Sequence, residues 1–143
     1  MRALKYWRGM VSLGLLLTIS AASAQDATLK LSGIYSNLQY NSESGDLNGM
    51  EIMIVPAPSS GGDVAWRAFV QLAEGEAPSS DVVSLTVNTG RDALTKNINA
   101  YQLVFTFAGV KYIGLVGSKE MQLRAEKGPM QHLLRGKSYW EGK

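Results

Sequence analysis

Apolar and polar residues alternate along most of this chain with a period of two, which sends successive side chains to opposite faces of an extended strand. In Val64–Leu72 one face carries Val64, Trp66, Ala68, Val70 and Leu72, and the other carries Ala65, Arg67, Phe69 and Gln71. In Asp81–Asn88, Val83, Leu85 and Val87 share a face opposite Val82, Ser84, Thr86 and Asn88. Leu103, Phe105 and Phe107 align in the same way against Gln102, Val104 and Thr106. No sustained run places apolar residues at i, i+3, i+4 and i+7, so helix is not the dominant element. The pattern predicts seven or eight strands, at about 27–37, 48–56, 63–74, 81–89, 100–108, 110–116, 119–125 and 130–140. Only 90–99, GRDALTKNIN, leaves room for a helical turn.

The intervening segments have turn chemistry. SESGDLNG (42–49), PAPSSGGD (56–63), EGEAPSSD (74–81) and NTGRDALTKN (88–97) are rich in Gly, Pro, Asp, Asn and Ser. Ala108-Gly109 between two apolar runs predicts a tight hairpin, and Gly117–Glu120 predicts another. Strands at this spacing with hairpin-length links predict an all-β fold, an antiparallel meander. Eight such strands remove their exposed edges by closing into a small barrel. There is no internal repeat, low-complexity tract or linker.

The first residues depart from this pattern. Arg2, Lys5 and Arg8 precede a short apolar run, Met10–Ile19, and Ala22-Ser23-Ala24 supplies small residues for cleavage. The run is far shorter than the roughly 20 residues needed to cross a bilayer. Residues 1–24 read as a signal peptide and 25–143 as a single β-barrel domain, periplasmic or secreted after cleavage near Ala24 and not membrane-spanning. The leader holds three of the 14 Lys+Arg, so the mature chain has 11 against 12 Asp+Glu and the basic character of the whole sequence disappears. A near-neutral mature chain lacks the clustered basic surface that nucleic acid requires. It also lacks cysteine. An exported domain without disulfides depends on its apolar core.

Gly33-Ile34-Tyr35 near the first strand and Leu134-Arg135 near the last resemble the end-to-end pattern of calycin barrels, the lipocalin and avidin type. In that family a first-strand Gly-x-Trp packs its ring beneath a basic residue near the last strand and closes the barrel bottom. The resemblance implies the same contact between Tyr35 and Arg135, by cation–π attraction and stacking. Tyr35 stands where the family has tryptophan. The overall look is also similar to uncharacterised exported proteins of Gram-negative bacteria, which implies no activity.

Catalytic and metal chemistry find little footing. Asn41, Glu43, Asp46, Asn48 and Glu51 offer oxygen atoms, but their spacing is not that of a calcium loop, and the segment reads as a solvated turn. Met50, Met53, Met121, Met130 and His132 could supply soft ligands for copper. Met50 and Met53 are three apart on a strand, however, and point to opposite faces. His132 is the only histidine, and no Gly-x-Ser-x-Gly elbow is present. No catalytic residue, metal ligand or cofactor is assigned, and an enzyme is the third choice. Tyr139 and Trp140 form either a terminal clasp or an exposed contact for a partner.

Two functions remain. One is a non-catalytic binding module that holds a small, largely apolar ligand in its barrel. Tyr35, Trp66, Arg67, Phe105, Phe107 and Arg135 are its candidate binding residues, and Met50, Ile52 and Met121 further lining. Tyr35 or Arg67 would be the polar anchor, with Gly33, Ala68, Gly114 and Gly117 leaving room for a pocket. The other is a protein-interaction module, an inhibitor or envelope assembly factor, whose solid barrel works through its loops and terminal aromatics on another envelope protein.

Overall fold

The computed structural model describes residues 29–59, 61, 64–75, 77–91 and 98–136, with the side chains of 91, 98 and 99 excepted. The leader expected at residues 1–24, residues 92–97 and the aromatic pair Tyr139-Trp140 lie outside the described residues. The described elements are all strands: Gly33–Ser36 (β1), Gln39–Tyr40 (β2), Leu47–Pro58 (β3), Val64–Glu74 (β4), Ser79–Arg91 (β5), Ile98–Phe107 (β6), Val110–Val116 (β7), Glu120–Ala125 (β8) and Met130–Gly136 (β9). Each strand from β3 to β9 pairs antiparallel with the next. β1 joins β9 on one side and β3 on the other, so the meander closes into an eight-stranded barrel.

β2 is the ninth strand, and its register shows what it is. Ser36 pairs with Glu51 and Gln39 with Asn48, so β2 continues β1 along β3 without a shift. The interruption falls at Asn37 and Leu38. There the Asn37 side-chain Oδ1, in place of a backbone carbonyl, accepts from Met50 N at 2.7 Å. Gly49 accommodates this detour. A Cβ on Gly49 would stand 2.5 Å from the Asn37 carbonyl oxygen, and its φ of 115° disfavours any side chain.

The alternation read from the sequence holds in the barrel. Met50, Ile52 and Ile54 face inward from β3, Ala68 and Val70 from β4, Leu103, Phe105 and Phe107 from β6, and Met121 and Leu123 from β8. Met50 is fully buried while Met53, on the other face, is 37% exposed. Burial of this size is the main stabilising term, since each fully buried aliphatic or aromatic side chain contributes about 1.5–3 kcal/mol. Gly114 leaves no gap in this core: a Cβ there would lie 3.2 Å from Leu123 Cδ1 and 3.4 Å from Met121 Sδ.

Several expected boundaries move. Ala57–Pro58 and Gly90–Arg91, expected beyond the strand ends, extend β3 and β5, and Ile98 already belongs to β6, so the described part of 90–99 is strand rather than a helical turn. Turn-type residues occur here at the ends of long strands, where pairing continues on one side only, β3 with β4 and β5 with β6. The Ala108-Gly109 hairpin is as expected. Its two residues have φ of 48° and 76°, the left-handed pair that matches the twist of the flanking strands. Gly117 N donates to Glu120 O at 2.9 Å in the second expected turn.

Candidate functional site

The first strand was expected to begin near residue 27, but residues 29–32 belong to no strand and β1 starts at Gly33. They form a strap across one end of the barrel, and side chains take the place of a neighbouring strand. Tyr101 Oη donates to Leu29 O at 3.0 Å, and Tyr35 Oη donates to Leu31 O at 3.0 Å. Arg135 spans the two: Nη1 donates to Lys30 O and Nη2 to Ser32 O, each at 2.7 Å. Leu29 and Leu31 are both buried beneath the strap, Leu31 as part of the core.

The expected pairing of chain ends is present in this strap. Tyr35 lies opposite Arg135 across β1 and β9, and the Arg135 Cζ stands 5.5 Å from the Tyr35 ring centroid. Gly33 gives the guanidinium its place, because a Cβ there would meet Arg135 Nε and Nη2 at 3.3 Å. Burial raises the Tyr35 hydroxyl above the usual tyrosine value of 10.0, with Arg135 opposing and Tyr101 adding to the shift. The Tyr35 hydroxyl therefore remains a protonated donor at neutral pH.

A cleft opens at the same end of the barrel. The β4–β5 ladder ends at Trp66 opposite Leu85. Beyond that point the described β5 residues pair with β6, from Thr86 opposite Val104 to Arg91 opposite Ile98. Where the two ladders part, Pro58, Trp66, Leu85, Val87, Thr89 and Tyr101 are among the residues that line a space of about 370 Å³. Trp66, Leu85, Val87 and Tyr101 are half-buried, with one flank on the core and the other open. Among the described residues, Arg67 is the one charged residue in the lining, and it is exposed at the rim.

The six candidate residues thus separate. Tyr35 and Arg135 meet under the strap, and Trp66 and Arg67 meet at the cleft. Phe105 and Phe107 lie in the core, Phe105 stacked on Tyr112 with ring centroids 5.3 Å apart and Phe107 next to the hairpin at the opposite end. Tyr101 was missed, although it shares the inward parity of Leu103, Phe105 and Phe107; it belongs to both the strap site and the cleft.

The other sequence candidates remain apart. Asn41–Asp46 is a turn closed by its own bonds, with Asn41 N donating to Asp46 O, Gly45 N to Asn41 O and Glu43 N to Asn41 Oδ1. Glu51, on the outward face of β3, is nevertheless buried, which the sequence did not foretell. His132 Nδ1 lies 3.3 Å from Glu120 Oε1 on the outer face, and Gln122 Nε2 also donates to that oxygen. These side-chain bonds hold the Glu120 carboxyl below its usual range. Among the described residues, no three His, Cys, Asp or Glu converge as a metal site. No helix among them is long and apolar enough to cross a membrane. No family model, curated protein or solved structure matches the chain.

Proposed function

We propose that this chain is an exported, non-catalytic binding module that takes a small, largely apolar ligand at the strapped end of its barrel. The cleft between β4 and β5 carries this reading. Its volume of about 370 Å³ is at the lower end of the roughly 300–1,000 Å³ usual for small-molecule sites. Trp66, Leu85, Val87 and Tyr101 offer apolar surface that is already partly desolvated, beside the polar Arg67, Ser84 and Thr89, so a ligand with both apolar and polar parts would bury it without reorganising the core. Arg67 at the rim favours a ligand with an anionic or polar head. The filled space over Gly114 supports a site at the mouth rather than deep in the lumen. The Tyr35–Arg135 contact supports kinship with calycin barrels, and the leader motif supports release to the periplasm or outside the cell.

The test is a titration with anilinonaphthalene sulfonate, an apolar probe with an anionic group. One saturable site is expected on the native protein. Trp66→Ala should weaken it by about ten-fold, the loss of a little over 1 kcal/mol of apolar contact. Arg67→Gln should weaken it by a smaller factor. Binding indifferent to both changes would remove the cleft from consideration.

A second reading, the protein-interaction module, has its own observation. Ile34, Met53, Phe69 and Val82 stand directly opposite one another across β1, β3, β4 and β5 on the outer face. Phe69 is 39% and Val82 57% exposed. An apolar row of this kind suits a protein contact. Loss of a partner from in-cell crosslinking on Phe69→Lys, with the melting temperature kept, would favour this reading.

A further inference from the structure

The strap is held as a peptide is held. Four successive carbonyls, Leu29 to Ser32, each accept a hydrogen bond, and every donor is a side chain of the barrel: Tyr101, Arg135, Tyr35 and Arg135 again. Two leucines, two residues apart, are sunk beneath it. Strand-to-strand pairing would hold the backbone through backbone groups; here β6, β9 and β1 project donors toward a segment that is joined to the barrel only at Gly33 within the described chain. A site that reads consecutive backbone carbonyls and alternate apolar side chains has the two elements of extended-peptide recognition. Main-chain bonds supply affinity, and pockets for every second side chain supply selectivity.

We infer that the Tyr35–Tyr101–Arg135 end of the barrel is a peptide-binding site for an extended segment with leucines two residues apart, and that Leu29–Ser32 is its resident, displaceable occupant. The site is separate in chemistry from the cleft, since it reads peptide carbonyls rather than an apolar small molecule. Tyr101 links them, because its hydroxyl holds Leu29 O and its ring lines the cleft. A partner's segment must compete with an occupant tethered in place. Short tethers give effective concentrations of about 1 mM or more, so the intact strap keeps the site closed to weak peptides.

The test uses the mature chain and a fluorescent peptide of the sequence TLKLSG, which copies Thr28–Gly33. In the Leu29→Ser/Leu31→Ser protein the strap keeps its backbone and loses its anchors. That protein should bind the peptide saturably below about 1 mM and about ten-fold or more tighter than wild type does. Adding Arg135→Gln, or replacing both peptide leucines with serine, should remove the binding. A folded strap variant without saturable binding, or binding indifferent to Arg135→Gln and to the peptide's leucines, overturns the inference. If the strap variant does not fold alone, it is refolded with the peptide present. Recovery of its near-ultraviolet circular dichroism supports the inference, and no recovery overturns it.

Discussion

Replacing Arg135 with methionine tests what closes the barrel end. Methionine keeps most of the side chain's length and apolar stem but removes both hydrogen bonds to Lys30 O and Ser32 O and the cation over Tyr35. A hydrogen bond from a charged donor contributes about 1.5–3 kcal/mol. Arg135 is partly exposed and the strap carbonyls can rehydrate, so the lower end applies, about 1.5 kcal/mol for each of the two bonds. The loss of the cation over the ring adds about 0.5 kcal/mol. With rehydration already counted in the lower figure, a net destabilisation of about 3–3.5 kcal/mol follows. For a domain of this size that is a fall in melting temperature of about 12 °C. In urea at a slope of 1–2 kcal/mol per molar, the midpoint should fall by roughly 1.5–3 M. The slope itself carries a second signal. If the strap leaves the barrel in the native state, Leu29 and Leu31 are already exposed before unfolding, and the slope decreases. Urea denaturation followed by far-ultraviolet circular dichroism measures both quantities. A loss below about 0.5 kcal/mol, the size of an ordinary exposed pair, would refute the view that this guanidinium fastens the strap.

Other expectations follow from single residues. Gly49→Ala should cost about 3 kcal/mol, since the left-handed backbone and the 2.5 Å approach of the Asn37 carbonyl both oppose a side chain; a denaturation midpoint within error of wild type would contradict the described detour at Asn37. Ala108→Asn should stabilise by about 0.5–1 kcal/mol, because alanine bears a φ of 48° in a turn that favours asparagine; a lower melting temperature would argue against that turn. Tyr35 and Tyr112 have hydroxyls raised above 10.0, chiefly by burial. The unfolded chain then loses these protons first as pH rises, so stability is intact below pH 10.0 and declines above it as the folded-state values are approached. A melting temperature that stays level through this range, with tyrosinate absorbance rising in the native state, would contradict their burial.

Local features of the fold were readable in advance because period-two alternation depends on neighbours in sequence. The opposite fates of Met50 and Met53, the inward set Leu103, Phe105 and Phe107, and the Ala108-Gly109 turn are all of this kind. Features set by distant strands were not readable. Nothing in Ser79–Arg91 signals that the strand passes from a β4 partner to a β6 partner at Leu85–Thr86, yet that transfer makes the cleft. Glu51 lies on the outward face by parity but is buried, and its strand partners Ser36 and Gln71 come from β1 and β4. Leu29 and Leu31 continue the inward alternation of Gly33 and Tyr35, so the sequence suggested a longer first strand. The side chains of Tyr101, Tyr35 and Arg135 took the carbonyls that a ladder would have used. The Tyr35–Arg135 contact was reached through resemblance to calycin barrels, since no spacing rule links residues a hundred positions apart.

Native mass spectrometry addresses the central claim most directly. The protein would be produced from its full sequence, purified without denaturation, and weighed before and after unfolding. The binding-module account predicts a small-molecule mass excess that disappears on denaturation and is reduced in the Trp66→Ala protein. A bare mass for the wild type, both as purified and after incubation with an apolar extract of the producing cells, would contradict it.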